Sequence, residues 1–211
     1  MTDATDGFFV GGTRIEFTHV ATGKRVGFKA FLTEYTDNYA SAWAESKVLG
    51  RMDPLMTFQS TSRKISLGWT LVAKDADEAL TNMWKADLLL SMQYPVYESN
   101  SASSIVAPPL FKVRFKNLIQ EGTDLRGLVC AIHGFSFDPD IGQGFFQGGR
   151  GNISPKVINM SCELTALHTQ DMGWSTDGNW RGSAGSFGHA SVPLSSIGKT
   201  AGLQTAASDL S

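Results

Sequence analysis

The sequence predicts an α+β fold that is mostly β, with one flanking helix, and three observations carry that expectation. The stretch from Arg63 to Ala73 alternates strictly, with Ile65, Leu67, Trp69 and Leu71 on one face and Lys64, Ser66, Gly68 and Thr70 on the other. The 22 glycines, 13 phenylalanines and seven prolines in 211 residues suit strands and turns better than a helical bundle. Only one segment, Ala76 to Met92, carries a helical start signal and apolar residues at helical spacing.

Along the chain, Thr13 to Val20 runs through the turn Ala21-Thr22-Gly23-Lys24 into a strand spanning Val26 to Tyr35, a hairpin pattern. The helix opens on Asp75 with Glu78 three residues later, the capping-box spacing, and Tyr94-Pro95 closes it. Its expected apolar face is Ala79, Leu80, Met83, Trp84 and Leu90, which would lay it against a sheet. Later strands are expected at Leu110 to Asn117, Leu125 to Phe137 and Lys156 to His168. Ser99 to Ser104 and the glycine-rich Asp138 to Asn152 read as loops, and periodicity stops at Asp171. The expected organisation is therefore a β domain over residues 1–170 and a Gly/Ser-rich C-terminal arm over 171–211.

Charge narrows the function classes. A net charge of −2 gives no basic surplus for a nucleic-acid backbone, so sequence-specific nucleic-acid binding is not expected. The acidic start Met1 to Gly7 is unlike a signal peptide, and no apolar run approaches the roughly 18–20 residues of a membrane helix, so no membrane insertion is expected. Two cysteines specify no disulfide framework, and a reducing compartment is the default.

Catalytic and ligand-binding motifs are weak. Ser196-Ile197-Gly198-Lys199-Thr200 ends like a phosphate-binding loop, but the glycine required at position 193 is Pro193. Cys130, His133, Cys162 and His168 are the right residue types for zinc. On strands, however, Cys130 and His133 face opposite ways, and Cys162 and His168 sit about 20 Å apart. Asp138-Pro139-Asp140 supplies too few oxygens for calcium and suits a stiffened turn. No catalytic residues, metal or cofactor are expected. The loop around Phe145, Phe146 and Arg150 leaves two readings open: the phenylalanines dock on a partner or tuck under their own loop.

One ordered set of motifs points further. Gly50-Arg51-Met52-Asp53-Pro54 is followed by Phe58-Gln59-Ser60-Thr61-Ser62-Arg63, the alternating Ile65-Ser66-Leu67 strand, and an acid-capped helix ending in Tyr94-Pro95-Val96-Tyr97. Over roughly residues 26–168 this order resembles baseplate tail-tube initiator proteins of contractile-tailed phages. The resemblance implies a tube-type β-barrel or two-sheet sandwich with a flanking helix. It implies a non-enzymatic homo-hexameric ring at the junction of baseplate and tail tube, nucleating tube assembly and continuing the DNA-ejection channel. Expected partners are the tail-tube protein, baseplate hub proteins and the tape-measure protein, in the virion after assembly in the host cytoplasm. The expected interface residues are Gly50, Arg51, Asp53, Pro54, Phe145, Phe146, Arg150, Trp174 and Trp180. A tube or terminator subunit is the alternative within this class, and a β-rich carbohydrate-binding or cell-wall hydrolase module is the alternative outside it, with Trp174 and Trp180 as stacking groups.

Overall fold

The computed structural model describes residues 14–29, 31–99, 101–116, 118–121, 127–147 and 152–181. The sequence motif at Ser196–Thr200, Arg150, and the arm beyond Arg181 lie outside the described residues. In chain order the elements are β1 (Arg14–His19), β2 (Arg25–Lys29), β3 (Phe31–Ser46), β4 (Leu55–Val72), α1 (Ala76–Ser91), β5 (Val96–Glu98) and β6 (Ser101–Ala107). They continue with β7 (Leu110–Arg114), β8 (Leu128–Pro139), a 3-10 turn at Ile141–Gln143, β9 (Phe145–Gln147), β10 (Ile153–Pro155) and β11 (Val157–Ala166). The described residues are thus mostly β with one α-helix, and no closed barrel is found among them.

The chain divides into two compact units, one from Met1–Ala30, Trp84–Cys130 and Leu167–Ser211, the other from Phe31–Met83 and Ala131–Ala166. In the first unit the strand order is β2-β1-β7 followed by the start of β8. The β1–β2 hairpin turns where Gly23 takes a φ of +69°, a left-handed conformation that glycine adopts without steric cost. Alternation then does the packing: Ile15 and Phe17 on β1 sit opposite Phe28 and Val26 on β2, and all four are buried. Phe111 and Val113 of β7 extend this apolar face, and Arg14, Glu16 and Lys112 occupy the opposite one. His19 is buried at the end of β1, its ring tilted against Phe111 with centroids 5.6 Å apart, and its Nδ1 lies 2.8 Å from the Thr22 hydroxyl. Burial, reinforced by the Lys24 charge, lowers its pKa, which favours the neutral imidazole.

In the second unit β8 continues beside β11, β4 and β3, in that order. The period-two expectation holds: Ile65, Leu67, Trp69 and Leu71 are buried, and they pair with Leu164, Cys162, Met160 and Ile158 of β11. Cys130 and Cys162 are buried thiols that form no disulfide.

α1 begins as its sequence dictates. The Asp75 carboxylate accepts the Glu78 N–H at 2.8 Å, and the Glu78 carboxylate reaches back to the Lys74 N–H at 2.9 Å. Asp75→Ala removes this cap and is expected to lower stability by about 1 kcal/mol, read as a shift in urea midpoint with unchanged m-value.

Four sequence expectations are corrected. The helix buries Ala79, Asn82, Ala86 and Leu89, and Trp84, assigned to the apolar face, is 64% exposed, with Leu80 exposed beside it. The strand expected from Val26 to Tyr35 is shared between two pairings: β2 runs to Lys29 and pairs with β1, whereas β3 begins at Phe31 and pairs with β4. Ser99 to Ser104 is no loop: β6 starts at Ser101 and pairs with β5, a backbone ladder that a polar serine run does not prevent. The segment from Asp138 carries the last residues of β8, then the 3-10 turn capped by the Asp140 side chain, and then β9 paired with β10.

Candidate functional site

β3 and β4 are far longer than the core they serve, at 16 and 18 residues. They pair from Phe31 opposite Thr70 out to Ser46 opposite Leu55, with irregularities between Leu32 and Glu34 and between Ala42 and Trp43. The inner half of β4 is buried on one face, whereas every residue from Leu55 to Thr61 is exposed. On β3 nearly all of Tyr39 to Ser46 is exposed as well. The outer half is therefore a two-stranded ribbon with no third strand behind it among the described residues.

Its side chains are unlike those of a solvated loop. Trp43 and Phe58 face each other across the ribbon, edge to face at 5.2 Å, and both are exposed. Nearer the tip, Val48, Leu55 and Met56 are exposed, and Leu49 and Met52 are fully so. The tip is the Gly50-Arg51-Met52-Asp53-Pro54 motif. Gly50 has φ +86° and the Arg51 N–H donates to the Val48 carbonyl at 3.2 Å, so the motif closes the hairpin. Arg51 and Asp53 form no ion pair with each other, and both are exposed.

At the root of the ribbon the electrostatics change. Arg63 donates from Nε to both Asp37 oxygens at 3.0 and 3.1 Å and from Nη2 at 2.7 Å, and the two side chains are only 1% and 5% exposed. The Tyr39 and Tyr35 hydroxyls donate to the same carboxylate at 3.1 and 3.4 Å, and the Arg63 guanidinium lies 5.5 Å from the Tyr39 ring centre. Burial works against the Arg63 charge, but hydrogen bonding to Asp37 and the neighbouring Tyr39, Asp37 and Tyr35 hold its pKa above the usual value. Sequence reasoning missed this cluster. Its signal is the period-two run Tyr35, Asp37, Tyr39, which puts three polar-tipped side chains on one face, with Arg63 opposite Tyr39.

The Tyr39 phenol is pushed up to about 12, chiefly by burial, with the Asp37 charge and hydrogen bond adding to it against the opposing Arg63 charge. A raised folded-state pKa means that the neutral phenol is favoured by folding. That contribution is complete below the ordinary value of about 10 and is lost as pH rises through about 12. Ultraviolet difference titration of the wild type against Tyr39→Phe is expected to assign to Tyr39 a phenolate that forms near pH 12, with thermal stability falling between pH 10 and 12.

The other expected interface residues are dispersed. Phe145 and Phe146 are half-buried on β9, and the Lys156 ammonium lies 5.4 Å from the Phe146 ring centre. Trp174 and Trp180 pair edge to face at 5.3 Å across a turn in which Ser175 N–H donates to the Asn179 carbonyl, leaving Trp174 exposed. None of these residues belongs to the ribbon, which holds Gly50, Arg51, Asp53 and Pro54 alone among the expected set. In the second unit a hollow of about 510 Å³ is lined by Glu34, Ser66, His133, Ser161 and Glu163. Among the described residues no group of three His, Cys, Asp or Glu side chains is placed to hold a metal ion, and no helix is long and apolar enough to cross a membrane.

No family model matches the chain, and no curated protein does.

Proposed function

We propose that the chain is a structural, non-enzymatic subunit of a contractile phage tail, forming a hexameric ring at the junction of baseplate and tail tube that seeds tube assembly and continues its channel. The observation that carries this reading is the β3–β4 ribbon. A lone two-stranded ribbon is marginal in water. One that also displays Trp43, Phe58, Leu49 and Met52 to solvent is suited to burial against another subunit. β3 lies at the end of the strand order, so its outer backbone edge runs alongside these side chains as a template for strand addition. A head-to-tail contact of this kind closes into a ring when its rotation closes.

The motif order from Gly50 to Tyr97 supports the tail assignment, and the mostly β architecture with one helix is compatible with a tube-type protomer. In this reading the Gly50–Pro54 turn fixes the end of an assembly arm, and the Arg63–Asp37 cluster fixes its root. The test is kinetic. The purified chain, added at a small fraction of the tail-tube subunit concentration from the same particle, is expected to abolish the lag in tube polymerisation and to appear by electron microscopy as a sixfold ring at one tube end. An unchanged lag with no ring at either end would overturn the assignment.

A further inference from the structure

The first unit presents a cationic sheet face with no role in the ribbon. We infer that this face docks a carboxylate-rich extended segment of a partner protein. The face is built by alternation: the residues of β1, β2 and β7 that do not enter the core point the other way. The pairing of Thr18 with both Arg25 and Lys112 puts Arg25, Thr18 and Lys112 in one row across three strands. In the next row Glu16 lies between Gly27 and Arg114, and Arg14 pairs with Lys29 beyond it. These side chains border a hollow of about 720 Å³, lined by Arg14, Arg25, Lys112 and Arg114 with Glu16 and Glu121. Gly27 deepens it, because it puts no side chain on the sheet at that point, and Gly127 lies too close to Lys112 to carry one.

The charges are unbalanced. Glu16 meets Arg114 at 3.9 Å, and Glu121 accepts from the Thr169 backbone N–H and hydroxyl. Arg14, Arg25 and Lys112 have no acidic partner among the described residues. Strands lie about 4.8 Å apart, so the Arg25 and Lys112 columns are separated by about 10 Å, and Arg14 lies two rows further along β1, a spread of cations wider than one small anion neutralises. An extended peptide presents side chains on one side about every 7 Å, a repeat that lets successive carboxylates reach Arg25 and Lys112 with the Thr18 hydroxyl between them. A nucleic-acid backbone carries negative charge at every phosphate and would be held against Glu16 and Glu121. A peptide also brings backbone N–H groups there, from which those two carboxylates can accept hydrogen bonds.

This inference is independent of the ring assignment and is tested separately. Fluorescein-labelled hexaglutamate is titrated with the full chain by anisotropy at low and physiological salt, against an oligothymidylate of equal charge. Hexaglutamate is expected to bind, to weaken with salt, and to lose at least tenfold in affinity in Arg25→Glu/Lys112→Glu and in the milder Arg25→Gln/Lys112→Gln. Both residues are exposed, and thermal melts confirm that the variants fold. The control Lys47→Glu/Lys64→Glu reverses two exposed cations of the other unit and is expected to leave binding unchanged. Absence of binding, an equal loss in the control, or tighter binding of the oligonucleotide would each overturn the inference.

Discussion

Asp37→Ala is expected to lower the unfolding free energy by about 3–5 kcal/mol, the largest single-site effect in the ribbon, measured by urea denaturation. Arg63 is 1% exposed, and three of its N–H···O contacts end on the Asp37 carboxylate. Without the carboxylate the guanidinium stays charged at any accessible pH, so the site cannot relieve itself by losing a proton. Desolvation is then no longer offset by the acid, and the Tyr39 and Tyr35 hydroxyls lose their shared acceptor at the same time. Replacing both ions by apolar groups of similar size removes that penalty, so Asp37→Leu/Arg63→Met is expected to recover most of the loss. A single-variant loss under about 1 kcal/mol would show that water reaches the cluster and that the root of the ribbon is not locked by charge.

The cluster matters because of where it lies. Inward of Arg63, β4 is held on both flanks by β3 and β11. Beyond Arg63 only β3 accompanies it, since β11 pairing ends at Thr165 opposite Lys64. The register of the free ribbon is therefore inherited from its root. A one-residue slip would turn Trp43 and Phe58 to the other face.

What the sequence made legible follows the same division. The β4 and β11 faces could be read because one side of each is buried, which forces apolar residues to every second position from Ile65 to Leu71 and from Ile158 to Leu164. The outer ribbon could not: with neither face buried, Ala40, Ala42 and Ala44 alternate with the mixed set Tyr39, Ser41, Trp43 and Glu45, which marks no core side, and only the Gly50–Pro54 turn announced itself. The helix start was legible in Asp75 and Glu78, but its buried face was misphased. Leu88, Leu89 and Leu90 are consecutive, so several faces compete, and the small residues Ala79 and Ala86 decide the packing. β6 was hidden by its serines, because the backbone ladder with β5 makes no demand on their side chains.

Excising the ribbon separates its assembly role from folding. Ser41 and Thr61 face each other directly, so removing Ala42–Ser60 and joining them through Asn-Gly leaves a two-residue hairpin turn matched to the strand twist. The removed segment includes Trp43, Phe58 and the tip, almost all of it exposed, whereas Arg63, Asp37 and the buried face from Ile65 to Leu71 are kept. Loss of so little buried surface is expected to leave thermal unfolding cooperative and stability within about 1 kcal/mol of the full chain, since a shorter connection also costs less to close. Assembly is expected to fail outright: no sixfold rings by electron microscopy, and a polymerisation lag identical to that of the tube subunit alone. The substitution pair Trp43→Ser/Phe58→Ser keeps the ribbon length but removes its aromatic face, and is expected to slow seeding by at least tenfold. Normal rings from the excised chain would assign the assembly contact to another surface, and unfolding of that chain would show the ribbon to be part of the core.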